Sequence, residues 1–195
     1  MTWRTFLRAH WEGLCAADFF TTEVWTVRGL VTYYTVFVIE PRSRRVHVLG
    51  STPEPDETFV VQTMRQLTDD VDGVLAGKLL ICDRDRKWSA AVERFLATAG
   101  ARMIWTPFLA PNCSAHAERF VRSIKEECLD RMMPLGERHL RRTLAEFVAH
   151  YHRERKHQEV GNELIDHLPP QRAGGPIRRR QRVGGLLSYY SRVAA

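Results

Sequence analysis

The chain has 195 residues, 44% of them apolar and 27% charged, enough for one well-cored domain with a small appendage and too few for two ordinary enzyme domains. This composition excludes a disordered or fibrous chain, and no apolar run approaches the roughly 20 residues that span a bilayer. The start, "MTWRTFLRAHWEGLC", lacks a signal-peptide core, and Cys15, Cys82, Cys113 and Cys128 form no C-x-x-C pair, so a reduced, cytoplasmic protein with no membrane partner is expected. The net charge of +6 is uneven. Residues 171–195 hold Arg172, Arg178, Arg179, Arg180, Arg182 and Arg192 and no acid; with those six set aside from the 29 bases, 23 remain against 23 acids. A neutral body with an arginine tail suits a polyanion-binding protein, because guanidinium groups contact phosphates and release counterions. The alternative is a solvated basic tail.

Taken in chain order, "LCAADFFTTEVWTV" alternates loosely and predicts a strand. "GLVTYYTVFVIE" and "RRVHVLGST" are rich in β-branched and aromatic residues about the turn-prone "EPRS" and predict a β-hairpin. A helix follows from about Asp56, a plausible N-cap, with Val60, Met64, Leu67 and Val71 at helical spacing. "KLLIC" is a short apolar run of the kind found in the centre of a sheet. Ser89 can cap a helix striped by Val92, Phe95, Leu96 and Ala99, and "RMIW" is a fifth strand.

The loop "TPFLAPNCSAHAE" is irregular until Ser114 or a neighbour caps a helix on which Ala117, Phe120, Val121, Ile124 and Cys128 make one apolar face. Leu140, Leu144, Phe147, Val148 and Tyr151 mark a last long helix, and "LPPQRAGGP" is a linker. "IRRRQRVGGLLSYY" predicts two short strands around Gly184 and Gly185. Three strands, helix, strand, helix, strand and further helices indicate an α/β layer fold with a mixed five-stranded sheet. The expected division is a lead-in segment over 1–14, a core over 15–160, and a linker with a basic β-appendage over 161–195.

Three acids stand where solubility does not require them: Asp18 inside the first strand, Asp83 at the end of "KLLIC", and Glu118 one residue off an apolar helical stripe. Each has a bland reading. Asp18 could face solvent on an edge strand, Asp83 could close a turn, and Glu118 could pair with Arg122 at i,i+4. Together they suggest chemistry, because hard divalent cations take carboxylate oxygens and two-metal phosphoryl transfer needs several converging. The histidines offer no quartet with zinc-site spacing; His150, His152 and His157 lie at a polar helix end. Cys82, on an apolar strand, reads as a buried inert thiol rather than a nucleophile.

At these residues a family resemblance appears. "CDRDRKW" resembles the aspartate turn, and "TPFLAPNCSAHAERFVRSIKEECLD" the glutamate helix, of retroviral-integrase-like (DDE) insertion-sequence transposases. "AADFF" is similar to the family's first-aspartate strand and "HYHRERKHQEVGN" to its "YN..RPH..LG" stretch, while Asp85 and Ser114 depart from the glycine and asparagine common at those places. The resemblance, over roughly residues 2–161, implies an RNase H-like fold, with Asp18, Asp83 and Glu118 as catalytic ligands of two Mg²⁺ or Mn²⁺ ions. It implies cleavage of element ends and strand transfer into target DNA, with the protein acting as a homo-oligomer on DNA and associated with the nucleoid in a bacterial cell. Such transposases usually carry helix-turn-helix modules ahead of the core, so a separate helix-turn-helix protein is an expected partner.

Helical geometry sets Lys125 nearly above Glu118 and Arg122 about 40° further round. That edge is expected to hold DNA, together with Arg178, Arg179, Arg180 and Arg182 of the tail. Two alternatives stay open: an RNase H-like nuclease that does not join strands, and an inactive DNA-binding transposase remnant.

Overall fold

A computed structural model describes residues 2–68, 73–107, 115–157, 163–166 and 175–192. These fall into two compact units, Met1–Glu23 with Val31–Val121 and Val24–Leu30 with Arg122–Ala195. The chain opens with α1 (Trp3–His10), capped by Thr2, whose hydroxyl accepts the Thr5 N–H at 3.2 Å. Then come β1 (Leu14–Thr26), β2 (Gly29–Ile39), β3 (Val46–Thr52), α2 (Glu57–Arg65), β4 (Leu79–Cys82), α3 (Ala90–Thr98), β5 (Arg102–Trp105), α4 (Ala115–Glu127), α5 (Gly136–Arg153), β6 (Ile177–Arg182) and β7 (Leu187–Arg192).

The mixed five-stranded sheet has the order β3-β2-β1-β4-β5. Val27 and Arg28 alone separate β1 from β2, a connection only antiparallel neighbours allow, and β2 pairs antiparallel with β3. β4 runs parallel to both β1 and β5, so its two edges are buried and its side chains are apolar throughout. The expected caps are present: Asp56 accepts the Phe59 N–H at 2.7 Å at the start of α2, and Ser89 accepts the Val92 N–H at 3.4 Å at the start of α3. Such caps contribute about 1 kcal/mol each. Val71, Ser114 and most of the linker lie outside the described residues. Helix α1, inside the expected lead-in segment, was not anticipated.

Alternation along the strands divides the core. Cys15 and Ala17 of β1, Val36 and Val38 of β2 and Leu80 and Cys82 of β4 pack with Val60 and Met64 of α2 and Val92 and Leu96 of α3. At Gly50 of β3 a Cβ atom would lie 3.0 Å from Thr63 Cγ2 and 3.2 Å from Phe59, so α2 packs closely here and its side chains would have to give by a few tenths of an ångström to admit one. The alternate residues of β1 point to the other face. There Phe20 meets Phe37 with ring centroids 5.8 Å apart, and Phe37 meets Phe120 of α4 at 5.0 Å.

Within the second unit, α5 buries Leu140, Leu144, Phe147 and Tyr151, the stripe expected from sequence. Strands β6 and β7 pair antiparallel around Val183, Gly184 and Gly185, all at positive φ. Val183 pays a steric penalty in that region, and its N–H is taken by the Glu146 carboxylate.

Candidate active site

Asp83 follows directly on the buried run Leu80-Ile81-Cys82. Its Oδ1 accepts two hydrogen bonds, from the Asp85 N–H at 3.2 Å and from the indole Nε1–H of Trp88 at 2.9 Å. Asp85 repeats the first arrangement, its Oδ1 accepting the Lys87 N–H at 3.0 Å while its Oδ2 pairs with the Lys87 ammonium. Two successive aspartate turns therefore carry the chain off the strand. The turn-forming reading of Asp83 is thus correct as far as Oδ1 is concerned, and among the described residues neither bond uses Oδ2.

Asp18 lies half-buried within β1, and its Oδ1 accepts the Phe19 N–H at 2.7 Å. The parallel register pairs Leu14 with Leu79, Cys15 with Leu80 and Ala16 with Ile81. The same offset, carried two residues past the last pair, would put Asp18 opposite Asp83, which lies just beyond the end of β4. Alternation puts Asp18 on the sheet face where Phe37 meets α4. Glu118 is exposed in the first turn of α4.

Electrostatics ties these acids together. Burial pushes the Asp18 carboxyl up to about 6; the Phe19 N–H opposes the rise, and the charges of Asp83, Glu118 and Asp85 add to it. Asp85 is held below the usual carboxylate range, its burial being outweighed by the bonds from Lys87. The adjacent Cys82 thiol is pushed well up, by burial first and then by Asp83 and Asp18, which suits an inert core residue.

The start of α4 is anchored by an edge-on contact between Trp11 and His116, 5.8 Å between centroids. Burial, then Arg44 and Arg119, lower His116 to about 4, so its ring is neutral near pH 7.

The acids have the donor chemistry of a divalent-cation site: hard oxygens, mutual repulsion, and one carboxyl whose ionisation is opposed until a cation joins it. Among the described residues, however, no three histidine, cysteine or carboxylate side chains are arranged as a ready-made metal cluster. What links the three acids is charge: Asp18 feels both Asp83 and Glu118, and all three side chains carry the hard oxygens that a divalent cation takes.

The cationic residues singled out from sequence belong to the second unit. Arg122 is exposed and Lys125 half-buried on α4. Arg178, Arg179 and Arg180 are exposed on β6, with Arg179 bonding Ser188 Oγ at 3.2 and 3.0 Å. Arg182 differs. Its guanidinium forks onto the buried Glu154 carboxylate, with Nε 3.0 and 2.9 Å from the two oxygens and Nη2 2.8 Å from Oε1.

A family model described as "Integrase core domain" matches residues 99–163, the stretch that holds Glu118, Arg122 and Lys125. Among solved structures, the catalytic core domain of BIV integrase is similar, with a TM-score of 0.54, 16% identity, and coverage of 79% of this chain and 91% of that chain. The two findings support a retroviral-integrase-like core. The fold is the RNase H-like fold of that integrase core, and the chain also has a small C-terminal hairpin. No curated protein matches the chain. Among the described residues no helix is long and apolar enough to cross a membrane.

Sequence reasoning overlooked Trp88 and Lys87. A tryptophan closing the polar run "DRDRK" was the available signal, since a buried indole N–H requires an acceptor and the nearest acids are Asp83 and Asp85.

Proposed function

We propose that this chain is the catalytic core of a DNA transposase or integrase, which cuts DNA at an element's end and joins the freed 3′-hydroxyl to target DNA. The observation that supports the reading is that the half-buried Asp18 feels the charges of Asp83 and Glu118, on a strand whose parallel register with β4 runs towards Asp83. Asp18, Asp83 and Glu118 would hold Mg²⁺ or Mn²⁺, two ions in the complete site. When bound, such ions supply charge stabilisation to the entering and leaving oxygens of an in-line displacement.

In the first step the oxygen of water bonds to phosphorus, its proton passes to solvent, and the DNA 3′-oxygen leaves. In the second, that 3′-oxygen attacks a target phosphodiester and expels the target's own 3′-oxygen. Neither step needs a covalent enzyme intermediate, so the absence of an activated serine or cysteine nucleophile from the reading is natural. Asp18, inside β1, and Asp83, just past the end of β4, would provide oxygens to the ions, and Glu118 would complete the set from α4. Arg122 and Lys125, one and two turns along the same helix, are suited to phosphates of the bound strand, and Arg178, Arg179 and Arg180 to sequence-independent affinity.

The test is Mg²⁺-dependent nicking of a labelled duplex by Asp18→Asn, Asp83→Asn and Glu118→Gln proteins, with thermal melting measured alongside. Each should fall to background nicking while still folding. Full activity of Asp83→Asn overturns the assignment. Nicking by the parent without any joined product would make the chain an RNase H-like nuclease instead.

A further inference from the structure

The connection between β4 and α3 contains one aromatic residue, Trp88, and it is 3% exposed. Its ring lies against Phe19, 5.1 Å between centroids, and its backbone N–H donates to the Asp85 carbonyl at 3.1 Å. Its indole N–H donates to Asp83 Oδ1 at 2.9 Å. Phe19, the ring beneath it, is the residue whose own N–H donates to Asp18 Oδ1. A single buried indole thus bonds one candidate ligand and packs on the immediate neighbour of the other.

We propose that Trp88 is a positioning residue that fixes the rotation of the Asp83 carboxylate and so tunes its affinity for a divalent cation. The inference rests on the metal-dependent reading above. Two hydrogen bonds, from Trp88 and from the Asp85 backbone, both fall on Oδ1, and neither uses Oδ2. The donor's chemistry matters. An arginine or lysine in this place would satisfy the same oxygen but would also cancel the charge a cation needs, whereas an indole orients without neutralising and does not titrate.

The ammonium group carried by the same loop has other partners. Lys87 is paired with Asp85 and lies 5.2 and 5.4 Å above the rings of Phe19 and Tyr34. Asp85 therefore draws off the cation that could compete at Asp83, while Trp88 supplies a neutral bond.

The test uses the full chain. Trp88→Phe keeps a buried ring against Phe19 and removes the donor, leaving a small cavity where the rest of the indole was. Mn²⁺ binding is followed by the loss of the free-ion signal in electron paramagnetic resonance, without DNA, and melting is measured in parallel. The expected result is a dissociation constant raised about tenfold or more, the usual effect of losing a bond to a ligand, with a modest fall in melting temperature from the cavity and the lost bond. The Mg²⁺ concentration for half-maximal nicking should rise in step.

Parent-like Mn²⁺ affinity in Trp88→Phe overturns the inference, and a lower melting temperature with unchanged affinity does so too, because it leaves Trp88 only a packing role. Asp83→Asn separates the two levels of the argument. If it loses Mn²⁺ while Trp88→Phe does not, the metal reading stands and the role of Trp88 falls; if it binds like the parent, the metal reading itself falls. Should Trp88→Phe fail to fold, the parent's Trp88 indole N–H resonance decides: a shift on adding Mg²⁺ supports the clamp, and an unmoved resonance overturns it.

Discussion

At the end of the sheet where β2 closes and β4 opens, Glu40 receives Lys78 Nζ at 3.0 Å and His47 Nε2 at 3.1 Å. The His47 bond, working against burial and joined by Lys78, brings its carboxyl down to about 2. At the opposite end, where β4 closes beside β1, Asp18 is pushed up to about 6 by burial and by other acids. Both carboxyls are half-buried in the same unit. One is supplied with cations by the chain itself, and the other is surrounded by like charge. A fold with no use for the second arrangement would lose nothing by replacing Asp18 with a neutral residue, so its cost points to a ligand from outside.

The largest change in stability should come from breaking the satisfied end. Glu40→Gln leaves Lys78, 26% exposed, without its carboxylate partner. Glu40 has a depressed pKa, so its stabilisation is complete above about pH 4.5 and is lost as pH falls through about 2. A shift of that size corresponds to about 3 kcal/mol at neutral pH. Urea unfolding of parent and variant should show this gap at pH 7 and its closure towards pH 2, while nicking below both melting transitions persists. A gap that stays constant with pH would mean that lost packing, not charge, had been measured.

The unsatisfied end should respond with the opposite sign. Asp18 has a raised pKa, so folding favours its protonated form. The cost of ionising it appears as pH climbs from 3.8, its ordinary value, to about 6, and is fully present above that. Asp18→Asn keeps an oxygen for the Phe19 N–H and removes the charge. In the absence of divalent ions it should be more stable than the parent by about 2 kcal/mol at pH 8, after allowance for partial solvent screening, and no more stable at pH 3.5. The same variant should fail to nick DNA. Equal stability of the two proteins at pH 8 would remove the contrast between the ends of the sheet.

Much of this molecule was readable from local pattern. Asp56 and Ser89 announced their helices, "KLLIC" its buried strand, and the stripe from Ala117 to Cys128 fixed the burial of α4, with Glu118 left off its inner face. Helix α1 went unread despite Thr2 as a cap and Trp3, Phe6 and His10 at helical spacing, because it is eight residues long and buries none of them completely. The register of β1 against β4, which carried past its last pair would face Asp18 with Asp83, is another matter. Parallel strands are joined by long crossovers, so no turn chemistry sets their register, and only assembly of the sheet shows it. The bond from Trp88 was invisible for a similar reason: sequence shows that an indole needs an acceptor, but not which of two nearby aspartates provides it.

The smallest effect is expected from the tail, where the same contrast between committed and uncommitted charge recurs on one strand. Arg182, 13% exposed, is bound to Glu154, 3% exposed, whose carboxyl is held low by Arg182 and then His150 in spite of burial. Arg178, Arg179 and Arg180 are exposed on the same strand, with Arg180 3.7 Å from the Glu154 oxygen. Charge alone would rank the four equally as phosphate contacts; geometry does not.

Duplex-DNA binding measured between low and moderate salt should therefore lose slope when Arg178, Arg179 and Arg180 are changed together to Gln, by about 0.9 per phosphate contact removed. Arg182→Gln should leave the slope alone and lower the melting temperature, since it takes the forked guanidinium from a buried carboxylate and leaves it His150 and the more distant Arg180. If Arg182→Gln flattens the salt dependence as much as the triple change does, the Arg182–Glu154 pair opens on DNA and the tail's charge acts as a single pool.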